Sequence, residues 1–143
     1  MDIDSVRDTL VAFPDTLLVE AHGDLYAIYD PDNNYEQQPR HGWATVVTSN
    51  AYDSASDLDR SGVYRLNIGL PRDRFRELID PTAEHDMTAL DVLVPHPIYG
   101  GQNWVCVLNP DQTWPVAQQL LTDAHAFAVR KYTNAARRRN QHR

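Results

Sequence analysis

The stretch LDRSGVYRLNIGL, residues 58–70, decides the reading of the fold. Tyr64, Leu66 and Ile68 alternate with Arg65 and Asn67, the period-two pattern of a strand that turns one face to a core. The other face then carries an arginine beside an amide, with Arg60 in the turn before them. The apolar alternation assigns a strand at 62–69, and the polar set on its far side nominates a site.

Three further strands precede this one. TLLVEA (16–21) and DLYAIYD (24–30) are joined at His22-Gly23, a good hairpin signal. WATVVT (43–48) follows an exposed loop, PDNNYEQQPRH (31–41), and leads into the long polar connection SNAYDSASDLDRSG. Beyond the strand, Pro71 opens a helix, PRDRFRELI, because proline's missing N–H is not needed in a first turn. DPTAEHD (80–86) reads as a loop, and TALDVLV (88–94) fits a short helix and an extended segment equally. NWVCVLN (103–109) is a buried strand.

Helices close both ends. DSVRDTLVAF (4–13) has Asp4 as its expected N-cap, Val6, Leu10 and Phe13 on one side, and Pro14 as its stop. The longest helix is expected from Thr113 to Tyr132. The order predicts an α+β fold: a mainly antiparallel sheet of about five strands, with the N- and C-terminal helices packed on one face. One domain is expected over 1–132, with 133–143 as a frayed basic tail.

Composition removes several functions. The net charge is −7, and residues 130–143 hold six of the 13 basic groups and no acidic one. Residues 1–129 therefore carry seven basic and 20 acidic groups, a balance of −13 that repels a phosphate backbone. No nucleic acid partner is expected. No run approaches about 18 apolar residues, so no membrane span is expected, and the acidic start MDIDSVRD does not resemble a secretory signal. Cys106, the only cysteine, lies in the apolar run WVCVL, where a thiol is inert and no internal disulfide can form. A cytoplasmic protein fits these features.

Two groups of residues bear on chemistry. Arg65, Asn67 and Arg60 are suited to a carboxylate, phosphate or enolate oxygen. The plain alternatives are an exposed sheet face, or an internal ion pair with Asp57, Asp59 or Asp91. His96 stands between Pro95 and Pro97, which restrict its backbone and suit a fixed imidazole for proton transfer. Here the plain alternative is a rigid loop with the ring bonded to a backbone carbonyl. Tyr99 and Trp104 are candidate apolar walls. His22, His85 and His96 have no metal-ligand spacing with Asp24, Asp86 or Asp91, so no metal or cofactor is expected. GxSxG, GxGxxG and GxxxxGK[ST] are absent.

The stretches YDPD (29–32), ATVVTSNAYDSASDLDRSGVYRLNIGL (44–70) and TALDVLVPHPIYGGQNWVCVLNP (88–110), with the closing helix, resemble a family of small actinobacterial proteins catalogued as a domain of unknown function. The paired motifs LDRxGVxRLNIG and ALDxLxPHPxY carry this resemblance, which implies no activity. Strand order, Trp104 and the last helix also resemble, more distantly, the MmcQ/YjbR-like group with its frataxin-like layout. That likeness implies a DNA-binding label, which the acidic body does not support.

These observations converge on a small-molecule-binding domain, open to catalysis on a carbonyl or anionic substrate, with a pocket between the sheet and the 85–102 loop. Arg60, Arg65 and Asn67 would hold the ligand, His96 would exchange a proton, and Tyr99 and Trp104 would form a wall. The alternative is a non-catalytic protein-interaction domain, with homo-oligomerisation as one use of its exposed surfaces.

Overall fold

The computed structural model describes residues 1–141. Six strands form one antiparallel sheet: β1 (Thr16–Ala21), β2 (Asp24–Tyr29), β3 (Ala44–Val47), β4 (Arg65–Gly69), β5 (Leu93–Pro95) and β6 (Trp104–Leu108), in the order β1-β2-β3-β4-β6-β5. The helices are α1 (Ile3–Ala12), α2 (Arg72–Leu78) and α3 (Trp114–Gln141), with one 3-10 turn at Gly100–Gln102. The α+β expectation is met. The sixth strand is the three-residue β5, taken from the segment that apolar periodicity left undecided.

The first four strands form a meander. Its first turn places both His22 (φ 54°) and Gly23 (φ 84°) in the left-handed region, as a two-residue primed turn requires. The chain then crosses through α2 to the sheet edge, forms β5, and returns as β6 between β5 and β4.

Strand parity divides the sheet into two faces. Leu25, Ala27, Ala44, Val46, Leu66, Ile68, Val105 and Val107 join Val6 and Leu10 of α1 and Ala117, Leu120, Leu121 and Ala124 of α3 in the main core. Among the described residues, the opposite face carries no helix. It is covered by the irregular 48–63 segment, where Leu58 and Val63 pack on Val47 and Leu108. No helix among the described residues is long and apolar enough to cross a membrane.

Local chemistry moves three helix ends. Asp2, not Asp4, caps α1, accepting the Ser5 amide at 2.8 Å, while Asp4 sits in the first turn and complements the helix dipole. Pro71 occupies the N-cap of α2 rather than its first helical position. The last helix continues past Tyr132 to Gln141, because AARRRNQ contains good helix formers and no breaker. Residues 133–141 of the expected tail are therefore helical, and 142–143 lie outside the described residues. Arg40 pins the 31–42 loop by donating to the Tyr29 carbonyl (3.0 Å) and to the side chains of Asp30 and Asn34 (both 2.6 Å).

Gly69 faces Trp104 across the β4–β6 pair, and a Cβ there would lie 2.7 Å from the indole. Gly69→Ala is expected to lose about 1–3 kcal/mol through overpacking. A urea midpoint unchanged from the parent chain would show that the indole moves freely.

Candidate functional site

Arg65 and Asn67 project from β4 onto the face without helices, and both side chains are buried. A guanidinium there cannot remain unpaired, because each ion removed from water costs several kcal/mol. Its partner is Asp53, on the 48–63 segment. Arg65 Nη1 and Nη2 donate to the two carboxylate oxygens at 3.0 and 2.9 Å. Nη1 also donates to Ser56 Oγ at 3.0 Å, and Nε to Asn67 Oδ1 at 3.0 Å. Asn67 passes the chain on, donating to Thr45 Oγ1 at 2.9 Å. Buried Arg65 therefore pairs with Asp53 instead of lying on an exposed sheet face, while Arg60 makes the expected pair with Asp57 at 3.8 Å.

His96 completes this cluster and is 5% exposed. Its Nδ1 lies 3.0 Å from the amides of both Ile98 and Tyr99, so it accepts from them and the neutral ring carries its proton on Nε2. Nε2 in turn faces Arg65 Nη2 at 3.5 Å, a contact of donor with donor that contributes no bond. Burial, reinforced by the Arg65 charge, pushes the His96 pKa down to about 4. A neutral His96 thus ties the turn after β5 to itself. Tyr99 lies over the imidazole, ring centroids 4.9 Å apart, and is half-exposed. The Cys106 thiol, bonded weakly to the Pro95 carbonyl, is pushed up to about 12 by burial.

Arg65, Asn67, His96 and Tyr99 come together as a connected cluster. Trp104 shares their sheet face but lies against Gly69. Arg60 does not join them: it donates to the carbonyls of Ser56, Asp57 and Thr88, stapling the 56–57 turn to the 88 region. Asp91 is also committed. Its carboxylate accepts the Thr113 hydroxyl and the amides of Asp111, Gln112 and Thr113, which together hold its pKa well below the usual carboxylate range.

The concavity beside this cluster is lined by other residues. A groove of about 710 Å³ runs between α2 and the 95–103 turn. Arg72, Phe75, Arg76 and Ile79 form one wall, Pro95, Gly100, Gly101 and Asn103 the other, and Asp80, Pro81, Ala83 and His85 close the end. Pro95 faces the helix layer while His96 faces the opposite side, so the two features are the two sides of one turn. Neither Arg65 nor His96 lines the groove, so the residues expected to hold a ligand and this concavity lie on opposite sides of the turn. Arg72 and Arg76 stand four residues apart on one face of α2, a spacing visible in the sequence PRDRFREL.

The chain belongs to a family of unknown function, DUF6194, whose model matches residues 1–139. No curated protein and no solved structure matches it.

Two outcomes follow from the buried cluster. Asp53→Ala leaves the Arg65 charge uncompensated and is expected to cost about 3–5 kcal/mol in chemical unfolding; a loss below about 1 kcal/mol would remove the ion pair from the stability of the sheet. Acid should also weaken the fold in two stages. Between about 6.5 and about 4 the unfolded chain takes up a proton that folded His96 refuses, so stability falls with pH by up to about 1.4 kcal/mol per unit. Asp53, held down by the Arg65 hydrogen bonds, supplies stability above the ordinary carboxylate range that is lost as pH falls through its folded value. His96→Asn should flatten the first stage and leave the second; an unchanged profile would assign the first stage to other groups.

Proposed function

We propose that this chain is a small-molecule-binding domain whose ligand lies in the groove between α2 and the 95–103 turn. The observation that carries the reading is the groove itself. Its volume of about 710 Å³ falls in the range of ligand sites, roughly 300–1,000 Å³, and its lining sets apolar Phe75, Ile79 and Pro95 beside polar Arg72, Arg76 and Asn103. Arg65, Asn67 and His96 act in this reading as positioning residues. They fix the back of the turn that forms one wall, and the proposal assigns no catalytic step to them. The cytoplasmic location expected from the buried cysteine belongs to the same proposal. So do the actinobacterial origin and the MmcQ/YjbR-like layout suggested by motifs and strand order.

A specific feature favours a second reading, a protein-interaction domain. Leu90, Val92, Ile98 and Tyr99 are exposed beside the edge strand β5. Such a patch fits a partner protein or a second copy of the chain.

A fragment screen by amide NMR separates the two. Binding in the groove should shift Phe75, Ile79, Gly100 and Asn103 in a saturable way. A side chain added at Gly101, where a Cβ meets no atom within 4 Å, narrows the groove without a clash, so Gly101→Leu should weaken those fragments. Shifts confined to Leu90, Val92 and Ile98, with a concentration-dependent sedimentation coefficient, would replace the ligand site with a protein interface.

A further inference from the structure

The groove borders an excess of unpaired positive charge that is absent elsewhere in residues 1–129 as described. Residues 1–129 contain seven cationic side chains, all arginines, against 20 carboxylates. Five of the seven lie within ion-pair distance of a carboxylate. They are Arg7 with Glu20, Arg40 with Asp30, Arg60 with Asp57, Arg65 with Asp53, and Arg74 with both Glu77 and Asp123. The two that have no carboxylate partner among the described residues are Arg72 and Arg76, and both border the groove. In a body with nearly three carboxylates per arginine, the two unpaired ones stand side by side at one concavity.

His85 also lines the groove, but its Nε2 is shielded from solvent, so the ring enters as part of the wall and Nε2 offers no donor there. Between these polar groups the surface is apolar, formed by Phe75, Ile79 and Pro95.

We propose that the groove selects a small organic oxyanion, a carboxylate or phosphate monoester attached to an apolar body. This rests on the reading of the groove as a ligand site and names the ligand's class. Arg72 and Arg76 hold the charged head as a two-armed clamp, and the body lies against the apolar lining. Asp80 sets a limit. Its Oδ1 accepts from the Thr82 amide (2.9 Å) and hydroxyl (2.7 Å), bonds that hold its pKa down and keep it charged. An anionic head is therefore driven toward the arginine end, and a second negative charge at the Asp80 end is rejected.

The test titrates the whole chain with phenyl phosphate, benzoate and neutral benzyl alcohol, reading amide shifts at Gly100 and Gly101 and the His85 imidazole signals. Both anions should saturate these signals, and benzyl alcohol should bind about tenfold or more weakly. The double substitution Arg72→Gln, Arg76→Gln should remove that preference. It should leave the thermal midpoint close to the parent value, since both side chains are exposed and without ion-pair partners. Asp80→Asn should tighten both anions. Equal affinity for alcohol and anions, or anion binding unchanged by the double substitution, would overturn the oxyanion assignment while the groove stays a ligand site. No groove shift with any of the three probes would overturn both readings. Anion-induced shifts centred on Arg65 and His96 would overturn this one and move the site to the opposite face.

Discussion

A guanidinium sits near the middle of a six-stranded sheet, and much of the molecule is arranged to keep it there. Arg65 is almost fully buried, so its charge must be matched inside the protein. The match comes from Asp53, twelve residues back in an irregular segment. To deliver that carboxylate, the 48–63 chain must lie across the sheet face that carries no helix. In doing so it places Leu58 and Val63 over Val47 and Leu108 and buries the Ser56 hydroxyl against the same guanidinium. The second layer of this half of the sheet is thus a polar strap with a small apolar cluster, where a helix would serve in a more regular α+β domain.

The parts of this design that were legible in the sequence are those governed by local rules. Period-two alternation in 62–69 put Arg65 and Asn67 on one face and Leu66 and Ile68 on the other, and the sheet keeps that parity. His22-Gly23 marked the first hairpin because its backbone demands positive φ at two consecutive residues. The partner of Arg65 was not legible, because several aspartates crowd residues 53–59 and only the path of the loop selects Asp53. Nor was β5, whose three residues are too few to show a period and which pairs on one side only, with β6. Arg60 misled for the opposite reason: its place beside the strand suggested the site, yet its donors are used by nearby carbonyls.

The groove was hidden for a different reason. It depends on which arginines lack partners, and that is a property of the folded surface. Arg74 reaches Asp123 on α3, a contact across 49 residues of chain, whereas its neighbours on either side do not pair. Sequence gives three arginines at 72, 74 and 76 in equal standing. The ion pair to α3 uses the middle one, and the outer two border the groove.

The buried cluster and the groove are linked through the short turn between β5 and β6. The turn is held by His96 Nδ1, which accepts two successive amides, and by the Asn103 carbonyl, which accepts the Leu70 amide at the start of α2. Asn103 takes a left-handed conformation to close it. These bonds fix Pro95, Gly100 and Gly101 relative to α2 before anything binds, and a wall fixed in advance reduces the ordering cost of association. They also make the wall conditional on a neutral imidazole, because protonation at Nδ1 would turn an acceptor of two bonds into a donor facing two donors. Arg65 beside Nε2 works in the same direction by disfavouring the imidazolium. The ion pair that closes one face of the sheet therefore also protects the geometry of the groove on the other.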